Sequence, residues 1–167
     1  MKKYSRILII ANLLLLLGYF NWSVFKKEQT LKDGQLVLLL LAPVDPRSLM
    51  QGDYMRLNYE INSSSSDFID EQTAIRGYAI LQTDSNQVGQ LIRLQNTLTP
   101  LNDNEIAIKY KIVNNRIFLG AESFFFEEGQ DTLYQDAMYG GLKVDDKGQS
   151  LLIGLYDENF QHIQPNK

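Results

Sequence analysis

At 167 residues, with 44% apolar side chains, the chain has room for one ordinary domain and a real core, which argues against wholesale disorder. It contains no cysteine and a single histidine, His162, the sixth residue from the C-terminus; disulfides, thiol nucleophiles and His-rich or thiolate metal sites are excluded, and a Ser-His-Asp triad would have to be built on a tail. Residues 1–36 hold six basic side chains against two acidic, and the remainder ten against eighteen; an acidic domain behind a basic end argues against nucleic acid, whose phosphates need clustered Lys and Arg.

Lys2, Lys3 and Arg6 precede Ile7–Phe25, a 19-residue run without a charged side chain. As a helix it spans about 28 Å, the thickness of a bilayer's hydrocarbon. Tyr19, Phe20 and Trp22 lie near its far end, where amphipathic rings favour the interface, and Lys26 and Lys27 close it. A cleaved signal peptide would end in small residues; Gly18-Tyr19-Phe20-Asn21-Trp22 is bulky, so an uncleaved signal-anchor is expected. Positive charges flank both ends, but a flank as short as residues 1–6 is usually retained in the cytoplasm. The expected organisation is a cytoplasmic flank (1–6), a single-pass anchor (7–25) in the inner, or cell, membrane, a polar linker (26–35), an exterior, periplasmic domain (36–160) and a tail (161–167). Asn12, inside the span, either hydrogen-bonds a second membrane helix or is simply tolerated.

Leu36–Ala42 is apolar throughout but too short to cross a bilayer as a helix, so it reads as a buried strand. Pro43 and Pro46 force an extended, kinked passage. From Tyr54 the pattern alternates, with Met55, Leu57, Tyr59 and Ile61 on one face and Arg56, Asn58 and Glu60 on the other, the period of a half-buried strand. Ser63–Ser66 is a loop, and Phe68–Ile75 a short helix or an irregular connection. Tyr78–Gln82 and Gly89–Gln95 form a strand pair around the turn Asp84-Ser85-Asn86. Ile106, Ile108, Tyr110 and Ile112 alternate with Ala107, Lys109 and Lys111, and Asn114-Asn115 turns this strand into Arg116–Leu119. Thr132–Met138 suits one or two helical turns, with Leu133 and Ala137 on one face and Gly140 as a stop. Leu142–Val144, the turn Asp145-Asp146-Lys147-Gly148 and Leu151–Tyr156 close the chain as a hairpin. The sum is a mainly β domain of roughly eight short strands and one short helix, a sandwich or small barrel behind an N-terminal transmembrane helix.

Gly52-Asp53-Tyr54-Met55-Arg56-Leu57-Asn58-Tyr59 fills every fixed position of Gly-Asp-Tyr-x-x-Leu-x-Tyr. The chain thereby resembles the GDYXXLXY family. The lead-in Ala42-Pro43-Val44-Asp45-Pro46-Arg47-Ser48-Leu49, the block Phe118-Leu119-Gly120-Ala121-Glu122-Ser123-Phe124-Phe125 with Glu127-Glu128-Gly129, and the Val144–Leu155 hairpin are similar to the family's. Phe126-Glu127 departs from the Val-Pro expected in relatives, which puts the local turn in question. The resemblance implies a membrane-anchored domain, commonly encoded near polytopic membrane proteins, and no particular reaction.

The motif has two readings. In the first, Gly52 permits the turn, Asp53 fixes it by accepting backbone N–H bonds, and Leu57 and Tyr59 point into the core. In the second, Asp53, Tyr54 and Arg56 form a partner or ligand site. A signal-peptidase-like Ser-Lys dyad would need Ser48 with Lys109 or Lys111 as a desolvated base, but the spacing from Ser48 to Gly52-Asp53 is short for that pattern and both lysines fall on a polar strand face. The pairs Glu127-Glu128 and Asp145-Asp146 are adjacent in sequence, which suits solvated turns better than a glycosidase or a calcium loop. Phe124 and Phe126 share one face, bound for the core; Phe125 takes the other, and an exposed face there would make a docking surface. No metal or cofactor is expected. The expected function is a non-enzymatic accessory or scaffolding protein bound to a polytopic membrane protein, with a ligand-binding envelope module as the first alternative and a signal-peptidase-like serine peptidase as the second.

Overall fold

The computed structural model describes residues 2–42, 54–64, 68–70 and 72–165. Helix α1 is Lys2–Asp33. From Ile7 to Asp33 it is long and apolar enough to cross a membrane, with a mean hydropathy of 1.9 in its most apolar window and none of that window buried. It does not stop where the apolar residues stop. The stretch from Lys26 to Asp33, expected as a polar linker, continues the helix, because helical hydrogen bonding needs no apolar side chain. The Thr30 hydroxyl bonds back to the Lys26 carbonyl (3.1 Å). At the C-terminal end the Gly34 N–H donates to the Thr30 carbonyl (3.0 Å), and the Lys143 ammonium donates to the Gly34 carbonyl (2.8 Å), a cation on the negative end of the helix.

Among the described residues nine strands follow: β1 (Gln35–Leu40), β2 (Tyr54–Arg56), β3 (Arg76–Thr83), β4 (Gly89–Gln95), β5 (Glu105–Val113), β6 (Arg116–Phe118), β7 (Ser123–Phe125), β8 (Tyr139–Val144) and β9 (Ser150–Tyr156). A short helix, α2 (Glu60–Ser64), follows β2, and a 3₁₀ turn covers Asp131–Tyr134. The strands form sheets of order β1-β8-β9, β4-β3-β5-β6 and β2-β7, every pair antiparallel. Leu38 bridges to Val88 and takes a backbone bond from its N–H to the Gln87 carbonyl (2.8 Å), so the first two sheets run on into each other. The Lys109 N–H reaches the Gly148 carbonyl (2.8 Å), bringing the β8–β9 turn onto β5. The outcome is a half-barrel rather than a closed barrel. Val37, Leu39, Leu81, Ile108, Ile117, Leu142 and Leu155 fill its interior, each at most 2% exposed.

Local chemistry explains the turns. Asp84, Asp145 and Asp157 each use Oδ1 to accept two backbone N–H groups, two and four residues on, at 2.7–3.0 Å. Asp145 is therefore consumed in holding the closing hairpin. Asn114 and Asn115 sit at φ 50° and 59°, the left-handed turn expected between β5 and β6.

Gly140 is a strand residue of β8, not a helix stop. A Cβ there would lie 2.7 Å from Cε1 of Tyr59, and one on Gly141 would collide with the Tyr156 ring. Gly154 of β9 is covered in the same way by His162, whose ring stacks 5.0 Å from that of Tyr156. The tail thus turns back onto the hairpin.

Arg93 and Glu105 make a bidentate pair (2.6 and 2.7 Å) between β4 and β5, and Glu105 also accepts the Asn102 backbone N–H (2.8 Å). The Arg93 hydrogen bonds, followed by that of Asn102, hold the Glu105 carboxyl at about 2, below its ordinary 4.5. A depressed carboxyl contributes stability above its unfolded value and loses it as pH falls toward the folded one. The stability difference between wild type and Glu105→Gln should therefore be full above pH 4.5 and shrink steadily toward pH 2, as read from unfolding midpoints across that window. A difference that does not change with pH would show that the carboxylate charge contributes nothing.

Candidate functional site

The alternation around the motif predicts burial correctly, but not through one long strand. Met55, Leu57, Tyr59 and Ile61 are all buried and Arg56 and Glu60 exposed, yet β2 ends at Arg56 and α2 begins at Glu60. An irregular step at Leu57–Asn58 keeps the phase. Gly52 and Asp53 lie outside the described residues, as do Ser48 and most of the lead-in.

The described part of the motif meets the Phe118–Gly129 block in space. Met55 pairs with Phe124 in the β2–β7 ladder. The Leu57 N–H donates to the Glu122 carbonyl (2.8 Å), and the Tyr59 hydroxyl donates to the Ala121 carbonyl (2.7 Å). The Glu122 carboxylate in turn accepts the Leu119 N–H (2.6 Å), closing the turn that presents Ala121. Tyr59 is fully buried; desolvation, and secondarily the charge of Glu122, push its hydroxyl far above the usual tyrosine value, so it stays a donor. Two blocks some sixty residues apart form one clasp, and Leu57 and Tyr59 are its pins.

Tyr54 and Arg56 point the other way. Tyr54 is 37% exposed, and its ring lies 5.8 Å from that of Phe125, which is 73% exposed. Arg56 stands opposite Ser123 on the same face. Phe124 and Phe126 pack inward around Tyr134, at 4.9 and 5.7 Å between ring centroids, so Phe126 takes a core position where the chain departs from the expected Val-Pro. Asn12 is exposed on α1.

A second feature was not legible in the sequence. A cleft of about 470 Å³ opens over β3, β5 and the end of β6. Arg76 and Lys111 face each other across the β3–β5 ladder, as do Tyr78 and Lys109, so all four share one face. The Lys109 ammonium lies 6.0 Å from the centre of the Tyr78 ring. No acidic side chain is among the described residues lining the cleft. Sequence reasoning singled out Lys109 and Lys111 as candidate bases and passed over Arg76 and Tyr78; only strand pairing brings the four together. Among the described residues no group of three or more His, Asp or Glu stands where a metal could be held. Glu127 accepts a bond from Gln130 (3.1 Å), and both Glu127 and Glu128 are exposed.

These features define a class: a β half-barrel borne on an apolar helix, with a signature motif that serves packing on one face and presents Tyr54 and Arg56 on the other. Within it, the chain belongs to the GDYXXLXY family, whose model, described as GDYXXLXY protein, matches residues 16–155. No curated protein and no solved structure matches the chain.

Proposed function

We propose that the chain is a non-enzymatic accessory subunit of a polytopic membrane protein in the cell membrane. Helix α1 anchors it with the N-terminus in the cytoplasm and the half-barrel outside, as the short basic flank favours. Tyr54, Arg56 and Phe125 form the docking surface, with Asp53 beside them in sequence and Asn12 available inside the bilayer. The observation that carries this reading is the aromatic pair: a phenylalanine 73% exposed beside a tyrosine 37% exposed, on the outer face of a two-stranded ribbon whose inner face, Met55 and Phe124, packs on the core. Aromatic side chains and arginine are the residue types that dominate binding hot spots.

The test is co-purification of the tagged full-length protein from native membranes in mild detergent, beside Arg56→Glu and Phe125→Ala. Both substitutions are on the surface and should change unfolding stability by no more than about 0.5 kcal/mol. A polytopic protein should accompany wild type, with recovery falling at least about tenfold in each variant, the loss expected of a hot-spot residue. A protein that emerges alone, or a partner retained by both variants, refutes the proposed surface.

A further inference from the structure

We infer that the cleft over β3 and β5 is a binding site for a phosphate group at the membrane surface, independent of the docking ribbon. The first argument is charge. Arg76 and Lys111 are directly opposed across an antiparallel ladder, an arrangement that costs stability, and Lys109 stands one pair further along the same face. None of the three has an ion-pair partner among the described residues, in a region of the chain where acidic side chains outnumber basic ones eighteen to ten. Three cations gathered in a concavity, beside the neutral donors Tyr78 and Asn96, suit a phosphate, which offers oxygens to several donors at once.

The second argument is position. Ser23, Lys26 and Lys27 of α1 line a small cavity together with Gln149, Ser150 and Leu151, so the β8–β9 turn lies beside the last turn of the apolar run. Lys26 to Thr30 rise only about 1.5–7.5 Å beyond Phe25, which places them in the headgroup layer, roughly 5–7 Å deep on each side of the hydrocarbon. The cleft is joined to that turn directly. Gly148 accepts the Lys109 N–H (2.8 Å), and the Ser150 hydroxyl donates to the carbonyl of Leu119, a lining residue (3.3 Å). The cleft is thus one residue removed from chain at headgroup depth. The phosphate it takes is that of an anionic lipid headgroup or of a soluble phosphate ester held at the surface.

Full-length protein in neutral detergent would be titrated with dihexanoyl phosphatidylglycerol, dihexanoyl phosphatidylcholine and inorganic phosphate, following amide shifts or thermophoresis. Saturable binding of the phosphatidylglycerol should weaken roughly fivefold for each charge removed near the surface, hence about twenty-five-fold in Lys109→Gln/Lys111→Gln. Lys109→Arg/Lys111→Arg should restore it. Arg116→Gln, which removes one charge outside the cleft and would by itself cost about fivefold if only net charge mattered, should leave it unaltered. Tighter binding of phosphatidylglycerol than of inorganic phosphate assigns the site to a lipid headgroup; equal binding of both assigns it to the free anion. Absence of saturable binding by either, or binding weakened as much by Arg116→Gln as by the lysine pair, overturns the inference. Unfolding midpoints of each variant separate loss of the site from loss of the fold.

Discussion

Tyr59→Phe is expected to destabilise the domain by about 1–3 kcal/mol, although it removes one atom and leaves the ring in place. The hydroxyl it deletes is buried and donates to the Ala121 carbonyl at 2.7 Å, and that carbonyl would be left without its partner in a region closed to water. Tyr59→Ala should cost more, about 3–5 kcal/mol, because it also empties a fully buried ring site in contact with Gly140. Denaturant unfolding of the full chain in micelles measures both. A neutral Tyr59→Phe would mean that water reaches Ala121 and that the clasp between the motif and the Leu119–Glu122 turn is looser than its geometry indicates.

The second large effect is at Gly140. On an open strand, replacing glycine with alanine is mildly favourable because glycine loses more backbone freedom on folding. Here the added methyl would lie 2.7 Å from Cε1 and 3.1 Å from the hydroxyl oxygen of Tyr59, a ring with no exposed surface into which to retreat. Overpacking of this kind costs about 1–3 kcal/mol, which outweighs the gain in the unfolded state. The pair should be strongly coupled: in the background of Tyr59→Ala, Gly140→Ala should become neutral or stabilising as the methyl enters the vacated space. Additive effects in that cycle would show that the two positions do not touch.

These positions also show what the sequence could and could not reveal. The length of an uncharged run was sufficient for the apolar helix, and local strand pattern with turn residues between was sufficient for the β3–β4, β5–β6 and closing β8–β9 hairpins. Periodicity predicted which side chains around the motif are buried, while missing that Glu60 starts a helix, because a burial phase can be kept without a continuous strand. It failed at Lys26–Asp33, where charged residues look like a linker yet extend α1, and at Gly140, where the reason for glycine is a tyrosine eighty-one positions earlier. The candidate site was half legible. Tyr54 and Arg56 emerge as the outward face of an alternating segment, and Phe125 as the odd member of its triplet. The basic cleft leaves only part of its trace locally, in the Lys109 and Lys111 alternation; Arg76 and Tyr78 join them only through the register of β3 on β5.

The continuity of α1 has a mechanical consequence. In the anchored arrangement proposed above, a flexible tether would let the domain tumble above the bilayer, whereas a helix that runs unbroken to Asp33, with Lys143 bound to the Gly34 carbonyl, would transmit rotation. Each residue inserted between Phe25 and Thr30 would lift the half-barrel by about 1.5 Å and swing it by about 100° around the helix axis. One or two extra residues would turn any docking surface away from a partner fixed in the membrane, while four would bring it nearly back into line, about 6 Å higher. Under the proposed anchoring, the charged end of α1 would act as an azimuthal setting, its length in residues, more than its composition, deciding which way the domain looks.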